Sequence, residues 1–107
     1  MKVIDVGKQF SRFPSGRYEK NGSTSGEAFR KNLLEPALRA SAGKVQVLLD
    51  GTVGYGSSFL EEAFGGLVRI SGFSSGDLLA RIDFVSRDEA LLSELKEYIN
   101  EAKTHHL

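Results

Sequence analysis

The chain contains no cysteine and no tryptophan, and it has only two histidines and two prolines. Without cysteine, disulfide bonds, thiol catalysis and cysteine-ligated zinc sites are excluded. The histidines, His105 and His106, stand at the C-terminal end, apart from the motifs described below. Because histidine is the commonest general acid or base, any catalysis would depend on carboxylates, Lys, Tyr or Ser alone. We therefore expect a protein without enzymatic activity, metal site or cofactor.

An excess of charge of either sign is also missing, since 14 Lys and Arg residues balance 14 Asp and Glu residues. A dedicated nucleic-acid-binding domain usually carries a basic surface, so direct binding of nucleic acid is not expected. No apolar run approaches the roughly 20 residues of a membrane span. The apolar stretch within the first ten residues is too short for a signal peptide, because Asp5 and Lys8 interrupt it. We expect a cytoplasmic protein without membrane contact and, at 107 residues, a single domain spanning 1–107.

Four short segments have the composition of β-strands. KVIDV (2–6) alternates weakly and predicts a first strand, and residues 9–12 are a candidate return strand. VQVLLD (45–50) is a nearly continuous apolar run, which is typical of a central strand covered on both faces. LLARIDFV (78–85) alternates apolar and polar residues and predicts a strand with one partly wet face.

Three segments have helical periodicity, each with a capping-box spacing at its start. The first begins at Thr24 or Ser25, and we expect a kink or break near Pro36, which has no N–H to donate to the preceding turn. The second is predicted over 58–70, and the third over 86–103 with its cap at the first residue. Strands that alternate with helices indicate an α/β fold. We expect a mixed four-stranded sheet with about three helices.

The loop DGTVGYGSS (50–58) connects the predicted central strand to the second helix. In an α/β sheet this position, beyond the carboxyl end of a strand, is where ligands and partners usually bind. Ser58 and Glu61 have capping-box spacing, which predicts Ser58 as the N-cap of the helix. The alternative is that Ser57 or Ser58 accepts a modification or binds a ligand. The spacing leaves both interpretations open.

A second glycine- and serine-rich loop, residues 13–26, leads to the start of the first helix. The basic residues Arg12, Arg17 and Lys20 lie in this region, which leads to a helix start at Ser25-Gly26-Glu27. Basic side chains and the amides of a helix start both favour anions, which indicates a site for a phosphate or an acidic partner. The competing interpretation is a solvated loop in which Arg17 pairs with a neighbouring carboxylate.

Two segments of the chain resemble a known family. VLLDGTVGYGSSFLEEAFGGLVR (47–69) is similar to the signature region of STAS domains, the fold of anti-sigma factor antagonists. In that region an apolar strand, an Asp and a short loop precede DSSGLG and an apolar helix, and GSSFLE (56–61) stands in its place here. FPSGRYEKNGSTSGEAFRKNLLEPAL (13–38) resembles more closely a divergent STAS-like family of unknown function. Members of that family pair G-R-x-x-x-x-G-x-x-S-G-E-x-F-R with S-S-F-L-x-E-x-F.

This resemblance implies a STAS-like α/β fold and a non-enzymatic regulatory role through protein–protein interaction. In anti-sigma factor antagonists a partner kinase phosphorylates the second serine of the motif and thereby breaks the complex. The matching phosphoacceptor here is Ser58, with Ser57 beside it. The implied partner is a kinase-like ATPase or an anti-sigma-type regulator.

The alternative function is a small-molecule, nucleotide or anion-binding domain in which loops 13–26 and 51–57 form the pocket. Asp50 ends the predicted central strand, and we interpret it as a hydrogen-bond acceptor. Tyr55 is a candidate aromatic anchor for a partner. The candidate residues for binding a partner or an anion are Gly16, Arg17, Ser25, Gly26, Asp50, Tyr55, Gly56, Phe59 and Glu61.

Overall fold

Three parallel strands form the sheet. The computed structural model describes residues 2–102. Strand β1 is Lys2–Asp5, β2 is Val45–Leu48 and β3 is Ile82–Val85, hydrogen-bonded in the order β1-β2-β3. The apolar run at 45–50 provides the central strand, as predicted. The predicted mixed sheet of four strands is wrong, because the described residues contain three strands that all run in one direction.

The main core lies on one face of this sheet. The strands are parallel and their order follows chain order, an arrangement in which crossovers of the usual right-handed sense place both connections on the same side. The register places Ile4, Val47 and Phe84 side by side on that face, and the first two are buried. Val3, one position earlier, points to the other face and is exposed.

Five helices accompany the sheet within residues 2–102, where the sequence predicted about three. Two of them, α2 (26–40) and α3 (57–69), are continuous helices that each contain one π-helical turn, Arg30–Leu34 in α2 and Glu61–Gly65 in α3. A short 3-10 turn, Glu19–Asn21, lies before α2. The helices are α1 (Val6–Gln9), α2 (26–40), α3 (57–69), α4 (Ser75–Arg81) and α5 (Glu89–Glu101).

Helix α1 and the turn after it occupy residues 9–12, so the return strand predicted there is wrong. Asp5 ends β1 and caps α1, because its Oδ1 accepts a hydrogen bond from the Lys8 amide (3.2 Å). The chain therefore turns away from the sheet directly after the first strand. Phe10 then packs against Phe29 of α2, with ring centroids 5.1 Å apart.

Of the kink or break predicted near Pro36, a break is absent, and helix α2 continues through the proline to Ala40 after a π-turn. Ser25 caps it by accepting a hydrogen bond from the Ala28 amide (3.1 Å), so the cap is the second of the two predicted candidates. The π-turn ends just before the proline, and the Glu35 amide donates to the Arg30 carbonyl five residues back. This wider turn adjusts the helix where proline provides no N–H.

The segment predicted as one strand at 78–85 is divided between α4 and β3. Ser74 caps α4 by accepting a hydrogen bond from the Asp77 amide (3.1 Å), and the helix continues to Arg81 before β3 begins. The Arg81 guanidinium donates to the carbonyl oxygen of Leu38 at the end of α2 (2.8 Å). The alternating pattern was misleading because half of the segment packs as a helix.

Helix α5 begins after Asp88, whose carboxylate accepts a hydrogen bond from the Leu91 amide (3.1 Å). The predicted cap, Ser86, is therefore wrong, and its hydroxyl donates to Asp50 instead. The helix ends at Glu101, while residue 103 and the two histidines lie outside the described residues. None of the helices in residues 2–102 combines the length and apolar character that crossing a bilayer needs.

Candidate functional site

The carboxyl edge of the sheet carries Asp50, as predicted from its position after the central strand. Its carboxylate accepts hydrogen bonds from the Ser86 hydroxyl (2.6 Å) and the Arg87 amide (2.9 Å). These two hydrogen bonds hold the pKa of Asp50 below its ordinary value. Asp50 therefore stays ionised near neutral pH and ties the end of β2 to the turn that follows β3.

A groove of about 530 Å³ opens beside Asp50, between the loop after β2 and the start of α5. Tyr55 lines it, and the Tyr55 hydroxyl donates to the Leu49 carbonyl (2.7 Å). Burial raises the pKa of Tyr55 to about 12, so the phenol stays protonated at neutral pH. Charged and apolar side chains share the remaining wall, including Val53, Arg87, Asp88, Leu91 and Glu94.

Ser57 and Ser58 are the first two residues of α3, and both are exposed. The prediction that Ser58 is the N-cap is wrong, because Gly56 holds that position with extended backbone (φ −77°, ψ 151°). Among the residues that the structure describes, no side chain caps this helix. Glu61, the expected partner in the capping box, pairs with arginines instead. The two hydroxyls thus stand at the surface of a helix start without a capping role.

Phe59 is fully buried, so it is not available to a partner as the sequence suggested. Its ring packs between Phe29 of α2 and Tyr55, with ring centroids 5.8 Å from each. It therefore anchors α3 in the core directly after the two exposed serines. This packing fixes which side of the helix start faces the solvent.

The loop 13–26 does not leave an anion site at the start of α2. The Gly26 amide donates to the Gly16 carbonyl (3.0 Å), and the Glu27 amide donates to the Arg17 carbonyl (2.9 Å). With the Ser25 cap on the next amide, the first turn of the helix already has its acceptors within the protein. Ser25 and Gly26 are both buried, so the arrangement of this helix start does not favour the predicted anion site.

Arg17 instead joins a group of ion pairs that we call the arginine–glutamate cluster (Arg17, Arg30, Glu61, Glu62 and Arg69). Arg17 contacts the carboxylates of both Glu61 and Glu62, the latter at 3.3 Å. The competing sequence interpretation, in which Arg17 pairs with a carboxylate, describes this contact correctly. Arg69 pairs with the same two carboxylates, at 2.6 Å from Glu61 and 3.2 Å from Glu62.

The centre of the cluster is a buried ion pair between the π-turns of α2 and α3. Arg30 Nη1 lies 2.6 Å from Glu62 Oε2 and donates to the Glu62 carbonyl oxygen (2.7 Å). The two side chains are only 2% and 1% exposed. Within residues 2–102, Arg30 Nε has no hydrogen-bond partner, although Glu35 Oε2 lies 3.5 Å from it.

Two glycines make room for this ion pair. A Cβ at Gly66 would clash with the Arg30 guanidinium, and a Cβ at Gly26 would clash with the Phe59 carbonyl oxygen. Glycine inside a helix usually costs about 1 kcal/mol relative to alanine. Here it permits the close approach of α2 and α3 that buries the Arg30–Glu62 pair.

The electrostatics of the cluster favour the charged forms. Burial alone would raise the pKa of Glu61, but hydrogen bonds from Arg69 and Arg17 outweigh it, so the pKa lies below its ordinary value. Hydrogen bonding to Glu61 raises the pKa of both arginines in turn. These shifts keep Arg17, Glu61 and Arg69 in their charged forms at neutral pH.

Sequence reasoning missed Glu62 and Arg30 as members of the site. The signal was present in the paired motifs of the family resemblance, where Arg17 and Arg30 occupy the arginine positions of the first segment. Glu62 occupies the glutamate position of the second segment, four residues after Ser58. In the folded chain these positions meet, so the paired motifs describe one ion-pair cluster.

No group of three or more His, Asp or Glu side chains in the described range is arranged to hold a metal ion. A parallel sheet with helices crossing between its strands, and a serine-bearing helix start at its carboxyl edge, defines a small α/β domain. The chain belongs to the family described as the STAS-like domain of unknown function (DUF4325), whose model matches residues 25–91, more than half of its length. No curated protein and no solved structure matches the chain. Membership in a STAS-like family suggests a regulatory or protein-interaction module at most.

Proposed function

We propose that this domain is a non-enzymatic, cytoplasmic regulatory module that binds a protein partner and is switched by phosphorylation of Ser58. The partner we propose is a kinase-like ATPase or an anti-sigma-type regulator. Its docking face consists of residues 12–13, 52–54 and 57–58. The proposal extends the STAS-like family membership to a specific surface and a specific hydroxyl group.

One observation supports the location of the docking face. Phe13 and Val53 are 65% and 66% exposed, and they lie on two loops that are joined by a hydrogen bond. The Val53 amide donates to the Arg12 carbonyl (2.9 Å), which brings the apolar side chains of both loops to one edge of the domain. Exposed aromatic and aliphatic side chains beside polar groups are typical of protein interfaces. The two exposed serines begin α3 at the end of the second loop.

Phosphorylation would change the charge of this face. In the proposed step the Ser58 hydroxyl attacks the γ-phosphorus of ATP held by the partner kinase. A bond forms between Oγ and phosphorus, the bond from that phosphorus to the β–γ bridging oxygen breaks, and ADP leaves with that oxygen. The hydroxyl proton goes to a base of the kinase. The product carries about −1.5 to −2 charge at the start of α3, directly after the loop that holds Val53, which disfavours an apolar interface there.

The first experiment tests the switch. The domain is co-expressed with a kinase-like ATPase encoded beside it, and its intact mass is measured. We expect one added phosphate group in the wild-type chain and in Ser57→Ala, and none in Ser58→Ala. An unmodified wild-type chain, or modification that persists in Ser58→Ala, would contradict Ser58 as the phosphoacceptor.

The second experiment tests the docking face by titration calorimetry with the same ATPase. Phe13→Asp and Val53→Asp each introduce a charge at an exposed position, so we expect at least tenfold weaker binding with little change in stability. Ile70→Asp is the matched control, because Ile70 is an exposed apolar residue (56%) outside the docking face. Equal weakening by all three variants would contradict this location of the face.

The groove beside Tyr55 supports a second candidate function, the binding of a small molecule or nucleotide. Its volume of about 530 Å³ falls within the range of small-ligand sites, and it combines apolar walls with an exposed arginine, Arg87. A thermal-shift screen with nucleotides and inorganic phosphate tests this function. A stabilisation that disappears in Arg87→Ala would favour the groove as a ligand site.

A further inference from the structure

We infer that Arg17 detects the phosphate on Ser58 and transmits its presence to the 13–26 loop. This inference rests on the proposed function, since it describes how the same serine acts after modification. Phosphoserine at position 58 takes Arg17 from Glu61 and Glu62. The loop that carries Arg17 then changes its position at the docking face.

The position of Ser58 on α3 supports this exchange. Ser58 precedes Glu61 by three residues and Glu62 by four. Residues at these spacings are neighbours on a helix surface, with about 5–6 Å between their Cβ atoms. Arg17 Nη1 contacts both of these carboxylates, so its guanidinium already lies about one helical turn from Ser58. A phosphate at that serine comes within reach of the guanidinium without movement of the helix.

Of the three arginines in the cluster, Arg17 is the one able to move. Arg30 is buried and holds the Glu62 carboxylate and carbonyl together. Arg69 follows Glu61 and Glu62 by eight and seven residues, two turns further along α3 and away from Ser58. The Arg17 side chain is 31% exposed and comes from a loop bonded to the first turn of α2, which packs beside Phe59.

The cluster tolerates the departure of Arg17. Glu61 keeps its two hydrogen bonds from Arg69, and Glu62 keeps its ion pairs with Arg30 and Arg69. No buried carboxylate is left without a cation, which would otherwise be the main cost of breaking such a network. Both carboxylates therefore keep a cation without Arg17, and the Arg17 guanidinium is available to bind a new anion.

The phosphate repels the neighbouring carboxylates and attracts the Arg17 guanidinium. Its charge of about −1.5 to −2 repels the carboxylates of Glu61 and Glu62 one turn away. An arginine fork binds phosphate oxygens with two parallel charge-assisted hydrogen bonds, which are stronger than ordinary ones. The repulsion weakens the hold of the carboxylates at this position, and the attraction draws the guanidinium towards the start of α3.

Movement of Arg17 reaches the docking face through the chain itself. Phe13, the exposed aromatic residue of that face, begins the same loop. The loop is anchored to α2 at its other end by the bonds of Gly16 and Arg17 to the first helical turn. The Ser15 amide, which donates to the Thr24 carbonyl (3.0 Å), lies between these bonds and Phe13. A shift of Arg17 therefore reaches Phe13 by loosening this bond, which gives the modification an effect beyond its own charge.

The experiment installs phosphoserine at position 58 during synthesis of the protein, so that no kinase is needed. Phosphorus NMR then measures the second pKa of the phosphate, ordinarily about 6. We expect this pKa to be about 0.5 units or more lower in the otherwise wild-type protein than in Arg17→Gln, because a nearby cation favours the dianion. Arg17→Lys, which keeps the charge but not the fork, should give an intermediate value.

Arg39→Gln is the matched control, since it removes one exposed arginine that pairs with Glu35 outside the cluster. It should leave the phosphate pKa unchanged. Amide NMR shifts give the second readout: phosphorylation should move the amides of residues 13–26 in the wild-type background but not in Arg17→Gln. Folding of each variant is verified from the same spectra, and Arg17→Lys carries the comparison if Arg17→Gln does not fold.

A phosphate pKa that is equal in the wild type and the Arg17 variants, or equally raised by Arg39→Gln, would overturn the inference. Unchanged loop amides would overturn the transmission to residues 13–26. Because the phosphate is installed chemically, these outcomes are independent of whether a kinase modifies Ser58 or a partner binds. Failure of the proposed function appears instead in the co-expression and calorimetry experiments.

Discussion

At the scale of single residues, the Arg30–Glu62 ion pair is the main charged feature of the interior. Both charges are removed from water, and each keeps at least two polar contacts. Taking one partner from such a pair costs much more than the pair itself contributes, because the remaining charge is buried without compensation. Neighbouring Glu61 has the same chemistry but a side chain that is 25% exposed, so water replaces lost contacts there.

This difference predicts opposite sensitivities for adjacent positions. Glu62→Gln should lower the free energy of unfolding by about 3–5 kcal/mol, since Arg30 loses its buried counter-charge. Glu61→Gln should lower it by at most about 1 kcal/mol, as for a surface ion pair. Urea denaturation followed by circular dichroism measures both. Equal losses at the two positions would contradict the assignment of the buried pair as the centre of the cluster.

At the scale of the elements, α2 and α3 approach closely where each contains a π-turn. The approach depends on Gly26, whose missing side chain leaves room for the Phe59 carbonyl, and on Gly66 beside the Arg30 guanidinium. The carbonyl belongs to a helix backbone and has little freedom to move away. The contact between the helices is therefore specified by residue size as well as by charge.

Alanine substitutions at two helical glycines should have opposite signs. Gly26→Ala should lower the free energy of unfolding by about 1–3 kcal/mol, because its Cβ meets the Phe59 carbonyl oxygen. Gly76→Ala is the matched control within α4, where an added Cβ meets no atom within 4 Å. It should raise stability by about 0.4–1 kcal/mol through the unfolded state. Denaturation midpoints distinguish the two, and a stabilising Gly26→Ala would contradict the close contact.

At the scale of the whole molecule, stability should depend on acid through the ionised carboxylates. Glu61 has a folded pKa below its ordinary value of 4.5, as the hydrogen bonds from Arg69 and Arg17 outweigh burial. A carboxyl group with a lowered folded pKa stabilises the protein fully above the unfolded pKa and loses this effect as pH falls through the folded pKa. The pKa of Asp50 is also lowered in the folded protein, so its protonation likewise reduces the free energy of unfolding.

The free energy of unfolding should therefore fall as pH is lowered below about 4.5. The stability difference between the wild type and Glu61→Gln should be largest near neutral pH and should shrink on acidification, since protonated Glu61 resembles Gln. Denaturation series between neutral pH and pH 3 measure this difference. A difference that stays constant across the series would contradict a lowered pKa at Glu61.

Much of the fold could be predicted from the local pattern of apolar and polar residues in the sequence. The apolar run at 45–50 identified the central strand, and periodicity located α2, α3 and α5. The errors concern segments whose pattern suits two structures. Residues 78–81 alternate like a strand but follow the Ser74 cap into α4, and residues 9–12 follow the Asp5 cap out of the sheet. In both places a side-chain cap, which periodicity does not record, decided the element.

The candidate site was only partly predictable for a related reason. Arg17, Asp50 and the two serines lie where a functional loop was expected, whereas Phe59 and the Ser25-Gly26 pair are buried. The capping box at Ser58 failed because its glutamate has stronger partners in Arg17 and Arg69. Arginines distant in sequence compete for that carboxylate, and spacing along one helix contains no information about them.

By itself, the sequence determined the α/β class, the central strand, the main amphipathic helices and the two motif segments, because these follow from local composition and period. Only the tertiary structure decided how many strands join the sheet, which residues cap the helices and which charges pair. Those features depend on groups brought together from separate parts of the chain, as with Arg17, Arg30 and Glu62. The exposed serines of α3 acquire their place beside this cluster in the same way, through the packing of α2 against α3.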